Sequence, residues 1–353
     1  MKIHFIYKII FIIILIYIFF YYMDKYCENM KYEHYENIFT RHKQIELEKK
    51  LLEKPFPMKN NLVSVIPFNL FQTWHTKDLP PKMKKCVESV KKENPEFTYY
   101  LMDDKDCRQF LIENFDKEIV WAYDSLIPGA YKADLWRYCI LYKLGGIYMD
   151  IKYQCSNGFR LKALTDKEYF VNDWCNQLYC TPTLGKTISN DSGIYNAFMV
   201  CLPGNKILKK CIDQVVFHVK HQFYGKSSLE PTGPNMMKKF FTPEDREKFE
   251  LNHYFRDGHV CIRYKYYRIL NVYPEYRDEQ RKYPPKGKSA SYHQYWRMRN
   301  IYQNPGYSPI EDMKNKSNKV IQKQKSNQKP STPVKTIKKS PVKSTPSNDT
   351  IQL

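Results

Sequence analysis

No two cysteines stand in a Cys-x-x-Cys pair. The ten cysteines come no closer in sequence than Cys175 and Cys180, which argues against a zinc ribbon or a thioredoxin-type redox site, and no disulfide pairing can be read from their positions. Small residues are missing where a leader peptidase would need them, because the apolar run from Phe5 to Met23 ends in YYMDKYC. That favours a retained anchor over a cleaved signal peptide. Acidic residues are scarce, 37 against 57 basic ones, and residues 313–353 alone carry ten Lys against one Asp, nearly half of the formal charge of +20. The same tail is rich in Lys, Ser, Pro, Asn and Gln and has too little apolar surface to order itself, so residues 306–353 are expected to be disordered. Basic tails of this kind bind polyanions through counterion release. No nucleic-acid-binding fold accompanies STPVKTIKKSPVKS, however, and nucleic-acid binding is the weaker reading.

Apolar and aromatic residues are plentiful, 42% and 16% of 353 residues, enough for a sizeable core. Phe5 to Met23 are nineteen residues interrupted only by Lys8. At about 1.5 Å per residue a helix of that length nearly matches a hydrocarbon core of roughly 30 Å, and Lys8, near one end, can snorkel. Lys2 and Lys8 precede the run, whereas Asp24, Lys25, Glu28 and Lys31 nearly cancel after it. The balance puts the amino end in the cytoplasm and the bulk of the chain on the lumenal side, as in a single-pass type II protein. The expected organisation is an anchor over 1–23, a charged stem over 24–60, a folded domain over 61–305 and the basic tail. Asn190, Asn315 and Asn348 begin N-x-S/T sequons whose glycosylation would report lumenal exposure.

Between Val63 and Tyr302 extended and helical patterns alternate. VSVIPFNLFQTW reads as extended, PKMKKCVESVKKEN as helical, FTYYLM as extended and DKDCRQFLIENF as helical; a long helix and the strand GGIYMDI follow. Such alternation predicts an α/β layered domain. Chemistry concentrates in GAYKADLWRYCILYKLGGIYMDIKYQ. Asp134 and Arg137 share a helix face, Gly145 and Gly146 end the helix, and Ile147 to Ile151 are predicted as a strand with Tyr148, Asp150 and Lys152 on one side. Ligand crevices in open α/β sheets lie beyond the carboxyl ends of strands, which draws attention to Asp150. A surface ion pair and a turn-capping aspartate would use the same residues. Asp103, Asp104 and Asp106 follow a strand and precede a helix, where acids commonly cap amide groups.

The stretch KADLWRYCILYKLGGIYMDIKY resembles the signature of glycosyltransferase family 32, whose members carry a DXD sugar-binding motif, and is more remotely similar to the glucosylating toxins. IPFNLFQTWHTKDLPPKM, FTYYLMDDKD, SGIYNAFMVCLPGNKIL, TGP and YHQYW follow in the family's order, covering about residues 63–300. The resemblance implies a GT-A fold and transfer of a hexose from a nucleotide-sugar donor, a UDP- or GDP-hexose, with retention at the anomeric carbon. The acceptor would be a glycan, a lipid or a protein. By matching position it implies that Asp134 and Arg137 contact the donor sugar, that Asp150 lies by ribose, sugar and metal with Tyr148 beside it, and that Trp74 lies against the base. Asn196, His293 and Trp296 fall in later blocks that approach the diphosphate. For Trp74 and for these three a purely structural role is an equal alternative.

Lys152 departs from the family pattern. The second acid of DXD helps hold Mn²⁺ or Mg²⁺ against the diphosphate, and lysine cannot. Three readings stay open: the ammonium itself meets the leaving group, Asp150 still binds metal with help from His293 or water while Lys152 leans outward, or the chain is a catalytically inactive sugar-nucleotide-binding relative.

Overall fold

The computed structural model describes residues 18–23, 25, 50, 54–58, 62–173, 192–256, 259–265, 267–284 and 291–304. The chain divides into Met1–Pro305 and Gly306–Leu353, and the second unit, with the predicted tail, lies outside the described residues. So do most of the predicted anchor and stem. Among the described residues no helix is long and apolar enough to cross a membrane.

A four-stranded sheet forms the first half of the fold. Its strands are β1 (Asn69–Thr73), β2 (Thr98–Met102), β3 (Gly146–Met149) and β6 (Phe198–Cys201), in the order β2-β1-β3-β6. β1 runs parallel to both β2 and β3, while β6 is antiparallel to β3. The helices of this half are α1 (Pro81–Glu93), α2 (Asp104–Asn114), α3 (Lys117–Ser125), α4 (Gly129–Leu144) and α5 (Lys206–Lys220). Strand alternation sorts the core. Phe71, Tyr148 and Met199 join a cluster with Leu135 and Leu141 of α4 and Ile212 and Val215 of α5. Leu70, Ile147, Met149, Phe198 and Val200 face the other way, into a cluster with Leu251, Ile262 and Leu270. Those last residues belong to a second sheet, built from β4 (Tyr153–Cys155), β5 (Val171–Asn172), β7 (Leu251–Arg256), β8 (His259–Tyr264) and β9 (Tyr267–Val272) in the order β4-β9-β8-β7-β5.

Most element boundaries follow local chemistry. Asp103 caps α2 by accepting from the amides of Lys105 and Asp106, and Asp106 returns the favour to the Asp103 amide, a reciprocal capping box. The acids after β2 are therefore used by the helix. At the end of α4, Gly145 (φ +63°) and Gly146 (φ +120°) turn the chain into β3. A Cβ on Gly146 would stand 2.5 Å from the Asn69 carbonyl oxygen, so the close approach of β1 demands glycine as firmly as the dihedral does.

The strand after this turn is shorter than the sequence predicts. It ends at Met149, because Tyr153 donates its amide to the Asp150 carbonyl at 3.1 Å and the chain turns to pair with β9 in the second sheet. Asp150 and Lys152 thus occupy the turn that joins the two sheets. In α4, Tyr131 and the whole stretch Asp134–Leu141 are buried, so Asp134 and Arg137 are not a surface ion pair.

Candidate functional site

Asp150 emerges at the carboxyl end of β3, beside the carboxyl end of β1, with Phe71 and Tyr148 paired across the two strands. From β1 the chain passes to β2 on one side, and β3 lies on the other, so the crevice between β1 and β3 is the point where the strand order reverses. Ligands of open α/β sheets bind at such points.

Three side chains close around the Asp150 carboxylate. Tyr148 donates its hydroxyl to Oδ1 at 2.8 Å, and Lys152 donates to Oδ2 at 2.7 Å. Arg137 brings Nη2 to 3.5 Å from Oδ1, lays its guanidinium over the Tyr148 ring at 4.3 Å and donates from Nη1 to the Asn196 carbonyl at 2.9 Å. Burial alone would push the Asp150 carboxyl up; the Lys152 and Arg137 charges and the two hydrogen bonds outweigh it and hold the group below the ordinary carboxylate range. For Lys152 burial acts downward, but the neighbouring Asp150 more than offsets it and the ammonium is held well above its ordinary value. Both groups are ionised at neutral pH.

Asp134 behaves differently. Its Oδ1 accepts from Asn196 at 2.9 Å and its Oδ2 from Thr232 at 2.7 Å, while Arg137 approaches to 3.5 Å. Burial pushes this carboxyl up, and Arg137, Thr232 and Asn196 only partly compensate. Asn196 also donates to the Tyr138 hydroxyl at 2.6 Å, Tyr138 donates to the Thr232 carbonyl at 2.8 Å and Tyr131 to the Ser228 carbonyl at 2.6 Å. Asp134, Asn196 and two tyrosines of α4 therefore fasten the 228–232 loop under the site. TGP is visible in the sequence, but nothing there shows that its threonine meets Asp134.

The other predicted residues divide. Trp74 lies just beyond β1 and packs among Met83, Val87, Ile151 and Tyr276, at the same sheet edge as Asp150; its indole nitrogen is buried without a hydrogen-bond partner among the described residues. Trp296, on α6 (Tyr292–Arg297), donates its indole N–H to the Tyr224 carbonyl at 2.7 Å. His293, on the same helix, meets Ser228 Oγ through Nδ1 at 2.6 Å. Tyr292 borders the site: burial and then the Asp134 charge push its hydroxyl up, and Lys152 acts in the opposite sense. Sequence reasoning missed Tyr153 and Tyr195, whose hydroxyls meet at 2.6 Å and whose rings lie 5.2 and 5.5 Å from the Lys152 ammonium.

The donor set does not fit a divalent cation. Mn²⁺ and Mg²⁺ ask for several oxygen ligands, whereas both oxygens of Asp150 are engaged, one of them by an ammonium. Among the described residues no group of three or more His, Cys, Asp or Glu is placed to hold a metal, so Asp150 and His293 do not belong to such a group. Seven cysteines, Cys86, Cys107, Cys139, Cys155, Cys201, Cys211 and Cys261, are free thiols.

Residues 80–171 match the family model described as "Glycosyltransferase sugar-binding region containing DXD motif", and that span contains α4, β3 and the Asp150 cluster. The chain is similar to inositol phosphoceramide mannosyltransferase 3 of Schizosaccharomyces pombe, 34% identical over 97 residues, which are 28% of this chain and 27% of the relative. It is similar to the initiation-specific alpha-1,6-mannosyltransferase of Candida albicans, 31% identical over 91 residues, 24% of each chain. An uncharacterized glycosyltransferase of Acanthamoeba polyphaga mimivirus is 33% identical over 118 residues, 31% of this chain and 47% of the relative. The matches span about a quarter of the length of the two mannosyltransferases. Among solved structures, the PaToxG glycosyltransferase is 16% identical and covers 60% of this chain and 79% of its own, with a TM-score of 0.35, a likeness too loose to align site residues.

Proposed function

Since residues 80–171 match the glycosyltransferase sugar-binding family model, we propose that the chain is a membrane-anchored, retaining glycosyltransferase of GT-A type. It moves a hexose from a UDP- or GDP-hexose to a glycan, lipid or protein acceptor. The observation that carries this reading is the largely buried cluster of Arg137, Tyr148, Asp150 and Lys152 at the mouth of the β1/β3 crevice. The relatives named mannosyltransferases make GDP-mannose the first donor to test.

Glycosyl transfer builds positive charge on the sugar ring and negative charge on the departing diphosphate, so fixed cations lower the barrier more than a strong nucleophile would. Lys152 and Arg137 are such cations. A second acid together with a divalent ion carries one net positive charge, and a lysine ammonium carries the same charge. Lys152 therefore replaces that pair without altering the charge of the site. On donor binding its ammonium exchanges the Asp150 carboxylate for diphosphate oxygens, which frees Oδ2 to accept a hydroxyl of the sugar or ribose. Asp134 orients the 228–232 loop and Arg137 from beneath, and Trp74 flanks the base. In this account no step depends on a metal.

The 2.7 Å contact of Lys152 with Asp150 also favours a second reading, a relative that binds the donor without turning it over. A hydrolysis panel of UDP- and GDP-hexoses on the purified chain separates the two. Turnover lost in Asp150→Asn supports the enzyme; calorimetric binding with no turnover supports the binder. The predicted anchor over Phe5–Met23 would place the domain on the lumenal side, and a glycan on Asn190 would test that orientation.

A further inference from the structure

Two later helices bring three further groups to the Asp150–Lys152 turn. Tyr276 opens the helix Tyr276–Lys282 and packs in one cluster with Ile151 and Trp74, directly beside that turn. Burial pushes its hydroxyl up, Lys152 acts against the rise and Asp150 adds to it, and Lys152 in turn feels the hydroxyl. Tyr292, on α6, is half-buried and stands against Tyr131 of α4 with ring centroids 5.8 Å apart. After burial, the charges that act on its hydroxyl are Asp134, Lys152 and Arg277. Arg277 follows Tyr276, is exposed, holds its guanidinium 5.4 Å from the Tyr276 ring centroid and acts on both tyrosines. Tyr276 on the Trp74 flank, Tyr292 on the α4 flank and Arg277 at the rim thus face the same ammonium.

What these groups lack is an acceptor. Arg277 donates from Nη1 to Gln280 Oε1 at 3.0 Å, and because a guanidinium can only donate, the amide is fixed with its nitrogen toward Tyr276, to whose hydroxyl it donates at 3.2 Å. The Tyr276 hydroxyl therefore accepts within the protein and keeps its own proton to give. Among the described residues that proton has no acceptor, the Tyr292 hydroxyl has no hydrogen-bond partner and Arg277 has no carboxylate. Lys152 uses one of its three N–H groups on Asp150. The formal charges of Arg137, Lys152 and Arg277 exceed those of Asp134 and Asp150 by one, and the uncommitted groups are donors. A divalent cation is repelled by such a set, and a neutral sugar leaves its charge unmet. An anion with acceptor oxygens on more than one centre satisfies both flanks, and a diphosphate is such an anion. Its path agrees: a diphosphate that joins a base at Trp74 to a sugar at Asp150 passes Tyr276, which packs with Trp74.

We propose that Arg277, with the hydroxyls of Tyr276 and Tyr292, grips the diphosphate of the donor opposite Lys152. The role of this grip rests on the glycosyltransferase reading of the same crevice. The purified full chain is titrated by calorimetry with UDP, GDP, UMP, GMP and inorganic pyrophosphate, as wild type and as Arg277→Gln, Tyr276→Phe and Tyr292→Phe. Arg281→Gln is the control: it removes the same charge from the same helix, where Arg281 is exposed and pairs with Asp278 instead. Arg277→Gln should weaken the better-bound nucleoside diphosphate by at least about tenfold and each phenylalanine variant by about threefold, while Arg281→Gln matches the wild type. The monophosphate, with less phosphate charge, should lose by a smaller factor in Arg277→Gln. Diphosphate affinity unchanged in Arg277→Gln, an equal loss for monophosphate and diphosphate, or an equal loss in Arg281→Gln overturns the grip. Arg277 is exposed, so its replacement leaves the core intact. The wild type judges the donor reading separately: binding of UDP or GDP that ignores Arg277 sinks the grip alone, whereas pyrophosphate held through Arg277 with neither nucleotide bound keeps the grip and sinks the nucleotide-sugar reading. Absence of all binding sinks both.

Discussion

Lys152→Asp restores the second acid of the DXD pattern, and the geometry specifies what should follow. The substitution removes an ammonium 2.7 Å from Asp150 and puts a second carboxylate in its place, where both lysine and aspartate side chains are mostly buried, at 16% and 23% exposure. Removing one partner of a buried pair costs about 3–5 kcal/mol, and at about 2–4 °C per kcal/mol for a domain of this size the melting temperature should fall by roughly 6–20 °C in EDTA. The paired acids should then bind Mn²⁺ in the presence of UDP or GDP. At a hundredfold excess over its dissociation constant a ligand returns about 2.7 kcal/mol, so Mn²⁺ should recover a large part of the loss. The wild type, which already carries the equivalent charge on Lys152, should shift by no more than about 1 °C with Mn²⁺ by the same conversion. Scanning fluorimetry of both proteins in EDTA and in Mn²⁺ decides the matter. A wild type stabilised by Mn²⁺ as much as the variant, or a variant indifferent to it, would refute the claim that lysine stands in for acid and metal.

Three further outcomes follow from the packing. Asp150 is held below the ordinary carboxylate range, so its contribution to stability is complete above the unfolded value of about 4 and is lost as pH falls through its depressed native value. The melting-temperature gap between wild type and Asp150→Asn should accordingly be wide at pH 7 and close as the solution is acidified below about pH 4. Gly146→Ala should lose about 3 kcal/mol or more in urea unfolding, since its Cβ meets the Asn69 carbonyl at 2.5 Å in a left-handed conformation; a loss under about 1 kcal/mol would mean that β1 can retreat. Glu279, on the helix Tyr276–Lys282, accepts from the amides of Lys82 and Met83 at the start of α1 and from the Tyr273 hydroxyl. Its replacement by alanine should cost about 2–4 kcal/mol in the same unfolding.

The sequence made the order of elements legible from Asn69 to Met149, except that it read one long helix where α3 and α4 are separate, because most starts and stops are set locally: Pro80 and Pro81 open α1, Asp103 caps α2, and Gly145 with Gly146 separates α4 from β3. It also brought Tyr148, Asp150 and Lys152 together, though for an incomplete reason. Their common side was read from strand alternation, whereas Lys152 stands in a turn that crosses between sheets, and a turn of that kind is fixed by Tyr153 pairing with Val272, about 120 residues away. Asp134 was legible as an acid on the face of Arg137, but its partners Asn196 and Thr232 come from distant segments, so spacing alone could not tell a sugar ligand from a loop fastener. The meeting of Tyr276, Arg277 and Tyr292 beside Lys152 left no trace in the sequence for a similar cause: two short helices at least about 120 residues downstream carry them, and no periodicity announces where such helices dock.

The most direct test of the central claim is hydrolysis of a UDP- and GDP-hexose panel by the purified chain, with and without EDTA, beside Lys152→Ala and Asp150→Asn. Turnover of at least one donor that persists in EDTA and disappears in both variants is the predicted result. Turnover abolished by EDTA, or retained when Asp150 becomes asparagine, would contradict it.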